Sequence, residues 1–121
     1  MSLIELVVRT TPIADGKRVI SVSGELDLHS VGSLQDALDE AIAKTGETVV
    51  VDLSEVDLID SIALGTLART SRRLRESGGA LAVAATNVEV VRAFEITSLD
   101  RVIPIAQTAS EALESLRRSA A

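Results

Sequence analysis

The chain has 121 residues, of which 46% are apolar, and its 18 acidic and 12 basic side chains give a formal net charge of −6. This length fits one domain, residues 1–121, with a core that can form without disulfides or metal. The negative charge disfavours nucleic acid and anionic membranes as partners, because both bind through Lys and Arg. The sequence has no Cys, Trp or Tyr and one Phe, which excludes thiolate chemistry, Cys-based metal sites and aromatic base stacking.

Hydropathy along the chain gives no sign of a membrane or export segment. No stretch approaches 18 consecutive apolar residues, and residues 1–10 alternate as a strand does instead of forming a signal peptide. We therefore expect a cytoplasmic protein.

The first half of the chain predicts two strands and a helix. An apolar, β-branched run predicts a strand over 3–8, followed by a polar break over 10–17 that contains the turn signal Asp15-Gly16. A second strand is predicted over 18–23 and ends at Gly24. A loop then leads to Ser30, which is placed to cap a helix over 31–42 that Gly46 ends.

The second half alternates strands and helices. The continuous apolar run 48–53, closed by Asp52, predicts a central strand covered on both faces. The remaining predicted elements are a helix from Ser61 ended by 77–79, a strand over 80–85, a helix over 87–95, an edge strand over 102–105 marked by Pro104, and a last helix opened by a capping box at Thr108 and Glu111. This alternation predicts an α/β domain with parallel later strands, made mixed by the opening strand pair.

Three carboxylates, those of Asp52, Asp57 and Asp60, have two interpretations. They could form a metal site, or Asp52 ends a strand, Asp57 lies in a turn and Asp60 caps a helix, and we favour the second because it explains all three. The lone His29 has no nucleophile placed beside it, and the chain has no Gly-x-Ser-x-Gly elbow or phosphate-binding glycine loop. We expect no catalytic residue, no cofactor and no metal, so the protein is not predicted to be an enzyme.

Ser61 lies at the start of a predicted helix, where unpaired backbone N–H groups and the helix dipole favour an anion. Asp60 or Ser61 could simply be the N-cap. A phosphate on Ser61 would instead add negative charge beside Asp60, and beside Glu25 and Asp27 if the two loops share one edge of the sheet. The helical period places Ile62 on the solvent side, as in a protein-binding patch.

Arginines on the same helix also have two interpretations. Arg69, Arg72 and Arg73 could dock an acidic partner, but a solvated helix face is the default and Arg72 and Glu76 have the spacing of an ordinary ion pair.

Four motifs, in this order and at these spacings, resemble the STAS domain, especially the bacterial anti-sigma factor antagonists. They are Gly24-Glu25-Leu26-Asp27, Val51-Asp52-Leu53-Ser54, Asp60-Ser61-Ile62-Ala63-Leu64-Gly65 and Arg92-Ala93-Phe94-Glu95-Ile96-Thr97-Ser98-Leu99. The similarity extends over about 3–116. It implies a mixed five-stranded sheet with about four helices packed mainly on one face.

The resemblance also implies a role in partner switching. The unmodified protein would bind an anti-sigma factor that is a serine kinase and free a sigma factor, phosphorylation of Ser61 would end binding, and a serine phosphatase would reset the switch. Asp60 and Asp27 match acidic residues of the family's site. The expected partner-binding residues are Glu25, Asp27, Leu28, His29, Ser30, Asp60, Ile62, Ala63, Leu64 and Gly65, on a monomer or weak dimer.

One departure from the family keeps an alternative open. Members usually have Ser or Thr and then Gly where this chain has Ile62 and Ala63, and losing that Gly removes backbone freedom at the first turn. The chain could instead be a STAS-like binding subunit of a transporter or a larger signalling complex that is never phosphorylated. Because Ser61 is retained, we favour a working switch.

Overall fold

The computed structural model describes residues 6–14 and 16–120. The strands are β1 (Val7–Ala14), β2 (Lys17–Leu26), β3 (Thr48–Ile59), β4 (Ala80–Ala84) and β5 (Ile105–Ala106). The helices are α1 (Val31–Ile42), α2 (Ser61–Glu76), α3 (Val88–Ile96) and α4 (Ala109–Ala120), with a 3₁₀ turn at Leu99–Arg101. No helix within the described ranges is long and apolar enough to cross a bilayer.

The five strands form one sheet in the order β1-β2-β3-β4-β5. The hairpin of β1 and β2 is antiparallel, and β2 to β5 run parallel. The α/β class, the mixed sheet and the parallel later strands are therefore confirmed.

The core lies on both faces of the sheet. Helices α1, α2 and α3 contribute buried side chains to a large cluster on the first face, and α4 covers a smaller cluster on the second. Val49 and Val51 belong to the first cluster and Val50 to the second, and all three are fully buried. The prediction of a central strand covered on both faces is confirmed, as is the packing of helices mainly on one face.

The first strand differs from its prediction. The predicted break at 10–17 is wrong, because β1 continues to Ala14 and the chain reverses at Gly16, whose φ is +74°. Residues 3–5 of the predicted strand, and Asp15 of the predicted turn, lie outside the described residues. Pro12 is tolerated inside β1 because this strand is an edge of the sheet, where a missing N–H costs least.

Strands β2 and β3 are both longer than predicted. Their parallel pairing continues to Leu26 and Ile59 through two register shifts, one of which adjoins Gly24, at φ +117°. Gly24 therefore lies inside a strand and does not end it. The expectations that Asp52 ends a strand and that Asp57 lies in a turn are also wrong, since both are within β3.

Several helix boundaries and contacts also differ from prediction. Helix α1 ends at Ile42, before Gly46, and Ser30 occupies the N-cap position without a capping hydrogen bond from its side chain. The last strand begins one residue after Pro104, at Ile105. Glu76 makes no ion pair with Arg72 among the described residues; Arg73 instead pairs with Asp39 of α1 at 3.8 Å. The Thr108 cap is confirmed, because its hydroxyl accepts from the Glu111 N–H at 3.1 Å.

Candidate functional site

The candidate site lies where the parallel strands β2 and β3 end side by side. Leu26 and Ile59, their last residues, are register partners. The chain leaves β2 into a loop, residues 27–30, and leaves β3 through Asp60 directly into α2. The carboxyl edge of a parallel sheet commonly carries function because loops and helix N-termini meet there.

Asp60 joins these two segments. Its Oδ1 accepts from the Ala63 N–H at 2.9 Å, which is the N-cap bond of α2, and its Oδ2 accepts from the Leu28 N–H at 2.9 Å. Its own N–H donates to the Leu26 carbonyl at 3.1 Å. The prediction that Asp60 caps a helix is confirmed, and the same carboxylate also fixes the neighbouring loop.

Asp27 and Ser30 hold the loop together through hydrogen bonds. The Asp27 Oδ1 accepts from the backbone N–H groups of His29 at 2.9 Å and Ser30 at 3.2 Å. The Ser30 hydroxyl donates to the Glu25 carbonyl at 2.7 Å and accepts from the Asp27 N–H at 3.0 Å. Ser30 therefore closes the loop on itself instead of capping α1, and the exposed His29 side chain has no part in this network.

Ser61 is the first residue of α2 and is exposed. Its hydroxyl makes no hydrogen bond within the described part of the chain, because Asp60 already caps the helix. Of the two interpretations of the Asp60-Ser61 pair, the structure therefore assigns the cap to Asp60 and leaves the Ser61 oxygen open to solvent.

Three segments that meet at this edge of the sheet each carry an exposed apolar side chain. Leu28 of the loop is 61% exposed, Leu58 near the end of β3 is 47% exposed, and Ile62 of α2 is 45% exposed. We call these three residues the apolar patch. The exposure of Ile62 confirms the helical-period prediction. Leu58 was missed, although the alternation of Val56 and Leu58 around Asp57 is a strand signal that places it at this edge.

Part of the expected contact set lies in the core. Ala63 and Leu64 are 0% and 5% exposed and belong to the cluster under α2. Their side chains are therefore covered in this conformation, and their expected role in partner binding stays a prediction. Gly65 is half-buried, and the Arg69 guanidinium lies against it, with one nitrogen 3.4 Å from where a Cβ would be.

The mixed five-stranded sheet, with a loop and a helix start joined at one edge, is the arrangement of a known family of domains. The STAS domain model matches residues 8–112, and the chain belongs to the STAS domain family. Within it, the chain is of the anti-sigma factor antagonist type.

Relatives and solved structures agree with this assignment. The chain is 33% identical over 110 residues to the anti-sigma-F factor antagonist RsfB of Mycobacterium tuberculosis, covering 89% of each chain. It is 32% identical over 107 residues to a putative anti-sigma factor antagonist of Thermotoga maritima, covering 88% of this chain and 95% of that one. The crystal structure of an anti-sigma factor antagonist from Mycobacterium paratuberculosis superposes with a TM-score of 0.83 at 31% identity, covering 93% and 95% of the two chains.

Proposed function

We propose that this protein is a non-catalytic anti-sigma factor antagonist controlled by phosphorylation of Ser61. The unphosphorylated form binds an anti-sigma factor that is also a serine kinase, and so frees a sigma factor in the bacterial cytoplasm. Phosphorylation ends the binding and a serine phosphatase restores it. The similarity of the chain to anti-sigma factor antagonists supports the antagonist role.

One observation carries the proposal: the Ser61 hydroxyl is exposed, is free of hydrogen bonds among the described residues, and lies at the sheet edge where the residues of the apolar patch are exposed. Exposed apolar side chains favour burial against a partner. An interface that covered Leu28 and Ile62 would also cover Ser61, because Ser61 directly precedes Ile62 and Asp60 ties Leu28 to the same helix start. The proposed partner-binding surface therefore includes the hydroxyl that would be phosphorylated.

A phosphate changes the character of this place. It adds a charge of about −1.5 to −2 at neutral pH. In the complex it would be desolvated among apolar side chains, close to the carboxylates of Asp60, Asp27 and Glu25. Each loss of about 1.4 kcal/mol lowers affinity tenfold, so a cost of about 3 kcal/mol would weaken binding about a hundredfold.

In the free protein the same phosphate is far better tolerated. It remains in water, and the positive end of the α2 dipole favours an anion at the first helical residue. The energetic cost therefore falls on the complex and not on folding, which is what a reversible switch requires.

The departure at Ile62 and Ala63 affects recognition unequally. Ala63 is buried, so its methyl group adds to the core and offers nothing to a kinase. Its N–H still makes the Asp60 cap, which shows that the first turn is regular without glycine. Only Ile62 presents a new side chain to a partner, so the change bears on which kinase docks.

The test combines candidate kinase anti-sigma factors with the protein and ATP, and maps the modified residue by mass spectrometry. Ser61→Ala should bind the partner and resist phosphorylation, and Ser61→Asp should weaken binding by at least tenfold. Ser110→Asp is the matched control, because Ser110 is an exposed serine in the first turn of α4, which packs on the other face of the sheet. We expect it to bind normally.

Two results would refute the switch: phosphorylation at another residue, or no modification of Ser61 by any kinase that binds the protein. If Ser61→Asp were silent and pull-downs recovered transport proteins, the constitutive binding subunit would be the correct function. The solvent-facing Ile62 is the feature that favours that second candidate, since a permanent apolar contact needs no reversible serine.

A further inference from the structure

A groove with a cavity of about 710 Å³ lies on the second face of the sheet. Its floor is formed by the first residues of three parallel strands, Lys17, Thr48 and Ala80. One wall is α4, and the end of β1 and the turn after α2 close the other sides. The lining residues are Ile13, Ala14, Lys17, Thr48, Arg75, Gly78, Gly79, Ala80, Ser110, Leu113, Glu114, Leu116 and Arg117. None of them belongs to the site around Ser61.

The charge of this groove is opposite to that of the protein. Three cations line it, those of Lys17, Arg75 and Arg117, against the single carboxylate of Glu114 among the described residues, while the whole chain carries a formal net charge of −6. Glu114 pairs with Arg117 at 3.3 Å. Lys17 and Arg75 make no ion pair within the described ranges, so among these residues two cations at the amino edge of the sheet have no carboxylate partner.

The groove is also apolar on two sides. Leu113 and Leu116 of α4 form one apolar side, and Ile13 of β1, which is 52% exposed, forms the other. A bare inorganic anion would leave the exposed Ile13 and the half-buried Leu113 in contact with water. A ligand with an anionic head and an apolar body would cover them, and the volume lies within the usual range of about 300–1,000 Å³ for small-molecule sites.

A second cavity, of about 570 Å³, lies between α3 and the ends of β4 and β5, and it lacks this contrast. Its only cation among the described residues is Arg92, and the carboxylates of Glu95 and Asp100 share its lining. An anion has no net attraction there, so this cavity serves as an internal comparison.

We propose that the groove beside α4 binds a small organic anion, with a carboxylate or phosphate head held by Lys17 and Arg75 and an apolar body lying between Ile13 and Leu113. Both cations can donate charge-assisted hydrogen bonds to such a head. The ligand would bind on the face of the sheet opposite α1 to α3. Its binding does not require Ser61 to be phosphorylated or unphosphorylated.

The test titrates the full chain with sodium octanoate and with octyl phosphate, following amide chemical shifts by NMR and affinity by calorimetry. Both anions should bind saturably and shift the amides of Thr48, Gly79 and Leu113. Octyltrimethylammonium, which has the same body and a cationic head, should not saturate. Inorganic phosphate, the head alone, should bind more weakly than octyl phosphate.

Variants separate the head from the body. Arg75→Gln should weaken octanoate about tenfold, as expected for one charge-assisted hydrogen bond. Arg72→Gln removes the same charge from the exposed face of the same helix, outside the groove, and should leave affinity unchanged. Ser110→Asp adds a carboxylate to the lining at an exposed position and should also weaken binding. This variant is used in place of a Lys17 variant, because Lys17 is half-buried and its replacement could disturb the fold.

The proposal is overturned if Arg75→Gln and Arg72→Gln bind octanoate equally, if the shifted amides cluster at the cavity beside α3, or if the cationic amphiphile binds as tightly as octanoate. Equal affinity for inorganic phosphate and octyl phosphate would also overturn it, because the apolar walls would then contribute nothing.

Discussion

Replacing Asp60 with alanine tests the arrangement of the whole candidate site. The change removes two acceptors at once, the N-cap bond to Ala63 and the bond to Leu28, both 2.9 Å long. An N-cap is worth about 1 kcal/mol and an intramolecular hydrogen bond about 1 kcal/mol, so Asp60→Ala should lower the free energy of unfolding by about 2 kcal/mol. Asp60→Asn keeps one acceptor oxygen and should lose about half of that.

Urea denaturation measures the difference. For a domain of this size, with a denaturant dependence of roughly 2 kcal/mol per molar urea, the midpoint should fall by about 1 M in Asp60→Ala. Asp57→Ala is the control, because Asp57 is an exposed carboxylate of β3 that makes no side-chain hydrogen bond within the described residues. Its midpoint should change little.

Hydrogen exchange locates the effect. The Leu28 amide is protected by a carboxylate 32 positions away in the chain, so its exchange should accelerate in Asp60→Ala and stay unchanged in Asp57→Ala. Equal stability of the two variants, or equal protection of Leu28, would refute the reasoning that Asp60 joins the loop to α2.

Three further predictions concern stability and are measured by the same denaturation assay. Ser98 has φ +61°, a left-handed conformation that costs a side chain about 1 kcal/mol, so Ser98→Gly should stabilise the protein and Ser98→Ala should not. A Cβ at Gly79 would lie 2.1 Å from the Glu47 carbonyl oxygen, so Gly79→Ala should destabilise by more than about 2 kcal/mol, whereas Gly32→Ala, with nothing within 4 Å, should be neutral or stabilising. Glu47→Gln leaves the buried Arg18 guanidinium, now 3.3 Å from its carboxylate, without an ion-pair partner and should cost about 3 kcal/mol, while replacing both by Met and Leu should cost far less.

The class of the fold and the parallel direction of the later strands were predictable because hydrophobic patterning and the alternation of strands with helices indicate them. The continuous apolar run around Val49 to Val51 has the length of a buried strand. The apolar stripe of α2 has the period of an amphipathic helix. Helix α2 begins at Ser61 as predicted, since the Asp60 cap is a local event between residues three apart.

Strand ends were not predictable, because pairing with another strand decides them. Asp57 and Gly24 are turn formers in isolation, but both lie in the paired ends of β2 and β3. The register shifts there keep the pairing intact while Leu53 and Val56, an odd number of residues apart, both reach the same core. A one-residue shift reverses the faces of a strand, and nothing in the local sequence specifies where it occurs.

The same limit applies to the site, and it explains which residues were misassigned. Serine is a common N-cap residue, but the Ser30 hydroxyl donates to the Glu25 carbonyl. It does so because the loop before α1 folds back through hydrogen bonds to the Asp27 carboxylate. The sequence predicts that Asp60 caps α2, but it does not show that the same carboxylate also accepts from the Leu28 N–H in the neighbouring loop. Adjacent residues therefore have separate roles: the Asp60 carboxylate holds the start of α2, and the exposed Ser61 hydroxyl takes no part in the cap, so under the proposed function a phosphate on Ser61 would leave the cap of α2 intact.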